Sequence, residues 1–169
     1  MRLSTKSNDW EQVVRLRRPL GLVFDHQTNS IVTCDAYVGL VRVSLSDGEI
    51  TVLSTEADGV PFKFANNLAI AQDGSIYFTD SSDKWTWDEG LLWIQIYFFL
   101  HHHFTKLFSD FFDQLEGVPH GRLLKYSPFS KKTTVLVKDL KFPNGVALSE
   151  KEDFILLTVT NEFRIARYW

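Results

Sequence analysis

The sequence predicts an all-β protein assembled from propeller blades. Three observations carry that prediction. A short segment recurs three times, at residues 18–24, 64–70 and 142–148, each time running from a small turn element into an alternating strand. The strand that follows recurs with it, at 30–35, 75–80 and 154–159. Turn signals (Asp47-Gly48, Asp73-Gly74 and Ser127-Pro128) separate the strands.

The remaining strands complete the unit. A third strand repeats at 39–43, 121–126 and 163–168, and a fourth closes the first two units at 49–53 and 133–137. Leu20 and Asn66 stand 46 residues apart, which suits a four-stranded blade. Asn66 and Asn144 are separated by 78 residues, and the excess falls within residues 81–120, between the second and third strands of the second unit. Four short strands repeated at this period argue for a propeller. The competing reading, a small two-sheet sandwich, does not explain why the register agrees at three separate strands. The chain supplies about two and a half blades, whereas a ring takes at least about four. Residues 1–17 read as a polar N-terminal segment, and 18–169 as a partial propeller with an insertion at about 83–120.

The insertion differs in pattern from the blades. Phe104, Leu107, Phe108, Phe111, Phe112 and Leu115 recur at helical spacing, which predicts an amphipathic helix over 104–116. Residues 91–100 are almost continuously apolar but too few to span a bilayer as a helix. His101, His102 and His103 have the composition of a metal tract. On a helix, however, three consecutive side chains diverge, so a polar cap between two apolar pieces is the simpler reading.

Composition sets outer limits. The chain has 169 residues, a formal net charge of -3 and 44% hydrophobic residues, which suits one globular domain. No Lys/Arg run marks a nucleic-acid surface. The aromatic content of 14% favours strands. Cys34 has no intrachain partner for a disulfide. Residues 1–12 are polar and lack the apolar core of a secretory signal.

The chain contains no Gly-x-Ser-x-Gly, His-Glu-x-x-His, Cys-x-x-Cys, Walker A or Gly-x-Gly-x-x-Gly pattern. Asp80, Ser81, Ser82 and His120 could be assembled into a hydrolytic triad, but no spacing rule supports it, and strand-end Asp and Ser commonly form turns. Asn66 and Asn144 are the stronger signal. They hold the same repeat position in adjacent blades, so both are expected to face the central channel, where the first unit has Leu20. Amide oxygens are hard, neutral donors suited to Ca²⁺. Asparagine also caps turns well, and from the residues alone both readings stand.

Several motifs in order carry a family resemblance. Arg18-Pro19-Leu20-Gly21-Leu22, Asp35-Ala36-Tyr37-Val38-Gly39-Leu40, Tyr77-Phe78-Thr79-Asp80-Ser81-Ser82, Gly121-Arg122-Leu123-Leu124-Lys125-Tyr126 and Phe142-Pro143-Asn144-Gly145-Val146 resemble plant strictosidine-synthase-like proteins. The wider group includes adipocyte plasma-membrane-associated protein and, more distantly, paraoxonase and gluconolactonase. The resemblance implies a six-bladed propeller with a divalent ion, Ca²⁺ or similar, at the channel mouth. It implies Asn66 and Asn144 as metal ligands, a small-molecule substrate, and a vacuolar or endomembrane destination. It implies two activities: metal-dependent hydrolysis of esters or lactones, or the amine–aldehyde condensation of authentic strictosidine synthase. The glutamate of the latter lies in a later blade. A third reading is a non-catalytic truncated propeller. The family has a shorter stretch before Leu115-Glu116-Gly117, so residues 89–103 read as extra sequence in the manner of a translated intron.

Overall fold

A computed structural model describes residues 12–86 and 117–169 together with Asp113 and Glu116. Alternating apolar and polar residues between turn formers give four short strands, β1 (Pro19–Asp25), β2 (Ser30–Asp35), β3 (Gly39–Ser44) and β4 (Ile50–Ser54). They pair antiparallel in the order β1-β2-β3-β4, making the first blade. A two-residue hairpin of β5 (Glu56–Ala57) and β6 (Val60–Pro61) leads onward. The second blade comprises β7 (Ala65–Ile70), β8 (Ile76–Asp80), β9 (Gly121–Ser127) and β10 (Lys132–Leu140), again in sequence order across the sheet. The third holds β11 (Pro143–Leu148), β12 (Ile155–Val159), a 3₁₀ turn (Thr160–Glu162) and β13 (Arg164–Tyr168).

The fold is therefore all-β, with two four-stranded blades and one of three strands. β8 pairs directly with β9 although 40 residues separate Asp80 from Gly121 in the sequence. Of the helix expected over 104–116, only Asp113 and Glu116 are described, and both are helical. The remainder of that helix, residues 91–100, His101–His103 and the extra stretch 89–103 lie outside the described residues. Among those described, no helix is long and apolar enough to cross a membrane.

The period of two along each strand sends successive side chains to opposite faces, and the second blade uses both. Ile76 and Phe78 of β8, with Leu124 and Tyr126 of β9, pack towards Val32, Cys34 and Leu40 of the first blade. Tyr77 and Leu123 instead join Ile155, Leu157 and Val159 of the third. Fully burying side chains of this size is worth about 1.5–3 kcal/mol each relative to exposure. The first strands lie together, with β7 packed between β1 and β11. The hairpin turns at the other end are also linked. Gln27 Nε2 donates to the Gln72 carbonyl at 2.7 Å, and the Gln72 N–H donates to Glu152 Oε1 at 2.8 Å.

Each blade carries the same irregularity. Pro19 pairs with Asp35 and Leu22 with Thr33, so three steps along β1 match two along β2. Ala65/Asp80 and Leu68/Phe78 repeat this in the second blade, and Pro143/Val159 and Val146/Leu157 in the third. An extra residue of this kind is a β-bulge, which bends the strand and re-aims a side chain. The bulges fall at Leu20-Gly21, Asn66-Asn67 and Asn144-Gly145. Two glycines on or beside these strands permit close approach between blades. A Cβ on Gly21 would lie 2.7 Å from Asn67 Cα, and one on Gly121 would lie 2.0 Å from Pro143 Cδ.

A buried ion pair ties the second blade to the β5–β6 hairpin. Arg122 Nη2 donates to Asp80 Oδ2 at 2.5 Å and to the Pro61 carbonyl at 3.1 Å. The other Asp80 oxygen accepts the Phe64 N–H at 2.8 Å. Asp80 is completely buried and Arg122 nearly so. Burial pushes the Asp80 carboxyl up to about 6, with the Arg122 charge and hydrogen bond pulling the other way. An acid whose folded pKa is raised from 3.8 to about 6 binds more protons folded than unfolded in that window. Its contribution to stability therefore falls as pH rises through the window.

Two predictions follow from this packing. Gly121→Ala overfills the Pro143 contact and is expected to destabilise the protein by about 1–3 kcal/mol in urea unfolding; an unchanged midpoint would show that β11 does not sit on β9 in this way. Arg122→Ala strands the Asp80 charge and is expected to cost about 3–5 kcal/mol at pH 7. It also drives the Asp80 pKa higher, so the loss shrinks at pH 5, where Asp80 takes up a proton. Equal losses at both pH values would exclude Asp80 as the group responsible.

Candidate metal centre

The two candidate ligands, Asn66 and Asn144, both lie on bulges, at equivalent steps of β7 and β11. A bulge leaves a backbone N–H without its ladder partner, and a buried donor needs a replacement. Threonines from the opposing strands supply it. Thr79 Oγ1 accepts the Asn67 N–H at 3.2 Å, and Thr158 Oγ1 accepts the Gly145 N–H at 2.6 Å. Where the first blade has Cys34, the neighbouring Thr33 Oγ1 donates to the Gly21 carbonyl at 2.9 Å. Cys34 itself is sealed in the core, and burial pushes its thiol pKa up, away from nucleophilic use.

Hydroxyls of the second blade then reach across to the third. Thr79 Oγ1 donates to the Asn144 carbonyl at 2.8 Å, and Ser81 Oγ donates to the Pro143 carbonyl at 2.6 Å. Ser81 Oγ also accepts Asn66 Nδ2 at 2.9 Å. The Asn66 side chain and the backbone that carries Asn144 are thus joined through one hydroxyl. Asn66 is 9% exposed, whereas Asn144 is half-buried. Among the described residues, neither Asn66 Oδ1 nor the Asn144 amide has a hydrogen-bond partner. Asn67, the other bulge residue, turns its Oδ1 onto the Leu68 N–H at 2.8 Å.

Asp80, Ser81 and His120 make separate contacts. Asp80 binds Arg122, Ser81 binds Pro143 and Asn66, and His120 lies near carboxylates, with Nε2 3.4 Å from Glu116 and Nδ1 3.9 Å from Asp83. Ser82 Oγ donates to Asp113 Oδ1 at 3.2 Å. The Lys84 ammonium pairs with Glu116 and holds its carboxyl below the usual range. These groups clamp the two ends of the insertion together.

Asn66 Oδ1 and the Asn144 amide, at equivalent bulges, have no partner among the described residues, and amide oxygens are of the chemical kind a hard cation takes, about six to eight at a time. Among the described residues, no group of three or more His, Cys, Asp or Glu could complete such a set. Sequence reading picked out both asparagines, considered Ser81 only as a triad member or turn former, and missed Thr79 and Thr158. A signal for them did exist: each hydroxyl sits at the end of the second strand, directly opposite or just past the recurring Asn.

Comparisons with known proteins agree with this architecture. A family model described as strictosidine synthase matches residues 95–169. Protein STRICTOSIDINE SYNTHASE-LIKE 13 of Arabidopsis thaliana is 38% identical over 166 residues, covering 98% of this chain and 36% of that protein. Adipocyte plasma membrane-associated protein of Gallus gallus is 38% identical over 156 residues, covering 90% of this chain and 32% of that protein. A solved gluconolactonase structure from Xanthomonas campestris superposes with a TM-score of 0.61 at 21% identity, over 89% of this chain and 44% of that one. That likeness concerns the fold alone. The chain spans about a third of the length of the curated relatives it matches. Together with the ordered motifs and the bulged blades, these matches make the chain similar to strictosidine-synthase-like proteins along nearly its whole length.

Proposed function

We propose that residues 18–169 are part of a six-bladed propeller whose complete form is a divalent-metal-dependent hydrolase of esters or lactones, acting on a small-molecule substrate. One observation carries this reading. At two equivalent bulges an asparagine oxygen is left without a donor, while the hydroxyls around it are committed to backbone and amide partners. Asn66 and Asn144 are then ligands rather than acids or bases. When bound, Ca²⁺ or a similar ion supplies a Lewis acid that polarises an ester carbonyl and stabilises the oxyanion.

The chain's own residues hold the first strands in register and fix the donors. Thr79 and Ser81 tie Asn144 to Asn66 across the blade boundary. Arg122 keeps Asp80 bound to the hairpin, so that carboxylate is not a donor. The remaining oxygens, at least one carboxylate among them, belong to blades beyond this stretch. The Xanthomonas campestris structure of like fold is described as a gluconolactonase, an enzyme of this chemical class.

The family model's description favours a second reading, amine–aldehyde condensation. One assay separates the two. The complete protein is offered an aryl ester, a lactone and an amine–aldehyde pair, with Ca²⁺ and with chelator. Ester or lactone turnover that chelation removes is expected, and Asn144→Ala is expected to lower its kcat/KM at least about tenfold. Chelator-blind turnover, or condensation alone, would refute the hydrolase reading.

A further inference from the structure

We infer that Ser81 is a positioning residue that sets the Asn66 amide so that Oδ1, not Nδ2, is the atom offered to a cation. The inference deepens the proposed metal reading and rests on it for the identity of the ligand. The orientation itself follows from hydrogen-bond bookkeeping. A serine hydroxyl has one proton to give, and a carbonyl can only accept. Ser81 gives that proton to the Pro143 carbonyl at 2.6 Å. Towards Asn66, Ser81 Oγ can then only accept, and the amide can answer only with its NH₂, here at 2.9 Å. The other end of the amide, Oδ1, is left for a ligand. Ser81 is completely buried and Asn66 is 9% exposed, so water does not readily replace this contact.

The internal repeat supplies an independent observation. The N–H of Ala36 donates to the Arg18 carbonyl at 3.0 Å, that of Ser81 to Phe64 at 2.9 Å, and that of Thr160 to Phe142 at 3.0 Å. These three residues therefore occupy one structural position in successive blades. The blade with Leu20 at its bulge has Ala36 there. The blades with Asn66 and Asn144 have Ser81 and Thr160. A hydroxyl accompanies the amide in both blades, bonded to it in the second (Ser81 to Asn66) and, among the described residues, not in the third, and a methyl group accompanies the apolar residue. Ser82 does not share the role, because its Oγ bonds Asp113 and the Lys84 and Trp85 N–H groups.

The test uses the complete protein labelled with ¹⁵N-asparagine, the Asn66 side-chain signal being assigned by its loss in Asn66→Asp. In the wild type the Asn66 NH₂ protons are expected to exchange with solvent at least about tenfold more slowly than those of an exposed asparagine. Free exchange in the wild type would overturn the inference without any variant. Ser81→Ala is expected to remove the protection and to weaken Ca²⁺ binding, read by calorimetry, about 10- to 100-fold. Ser81→Thr, which keeps the hydroxyl, should restore both, and Ser82→Ala should leave the Asn66 signal unmoved. Unchanged exchange and affinity in Ser81→Ala would sink the proposal. If the wild type binds no Ca²⁺, the metal reading fails while the exchange arm still decides whether Ser81 sets the amide.

Discussion

Three first strands have to lie side by side, and each has to admit one residue more than its partner strand. That constraint organises the chain. The bulges at Leu20-Gly21, Asn66-Asn67 and Asn144-Gly145 break the ladder at the same step of every blade. An orphaned buried N–H costs about 1–3 kcal/mol, so each break needs a substitute partner. In the second and third blades it is a threonine hydroxyl from the opposing strand. Close approach adds a second demand. Gly21 lies against the Asn66-Asn67 backbone, and Gly121 lies under the Pro143 ring, where a methyl group has no room.

The division of labour along each blade boundary follows from these demands. The middle of the boundary is apolar, as in the cluster joining Phe78 and Leu124 to Val32 and Leu40. Both ends are polar. At one end, Gln27, Gln72 and Glu152 link the hairpin turns. At the bulge end, the hydroxyls of Thr79 in β8 and of Ser81 just past it bind consecutive carbonyls of β11. Apolar burial is non-directional and supplies most of the stabilisation. The hydrogen bonds at the ends set register, because a slip by one residue would unpair them all. The second blade has both faces covered. Leu22 and Ile165, on the outward faces of the first and third blades, are 63% and 71% exposed. Closing neighbours would bury such positions.

The repeat was legible in the sequence because strand alternation and turn chemistry are local. The positions of Asn66 and Asn144 could be aligned by counting, and the observed registers give them equivalent places. Ser81 and Arg122 could not be read in the same way. Ser81 looks like an ordinary strand-end turn former, and its meaning depends on a carbonyl 62 residues away. Arg122 meets Asp80 only because β8 and β9 pair across a long insertion. The bulges were invisible for a different reason: they are a mismatch between two strands, and neither strand shows it alone. A triad drawn from Asp80, Ser81 and His120 looked available on the page of letters. Geometry gives all three other partners.

Charge explains why these asparagines sit beside a carboxylate that does not join them. Asp80 immediately precedes Ser81, yet it is buried and held by Arg122 and the Phe64 N–H. A free carboxylate at that depth would carry a desolvation cost of several kcal/mol. Pairing offsets part of that cost, burial still holding the carboxyl up at about 6, and it balances the charge at the bulge end of the second blade. On the proposed reading, the local donors contribute geometry and little field. Affinity for Ca²⁺ rises with the number of charged ligands and with the rigidity of the site. This stretch of chain would supply the rigidity, through Ser81 and Thr79, and the charge would have to arrive from elsewhere in the ring. On that reading such a site would assemble only when the blades meet, coupling ion binding to ring closure, since a ligand that binds only the folded state stabilises it.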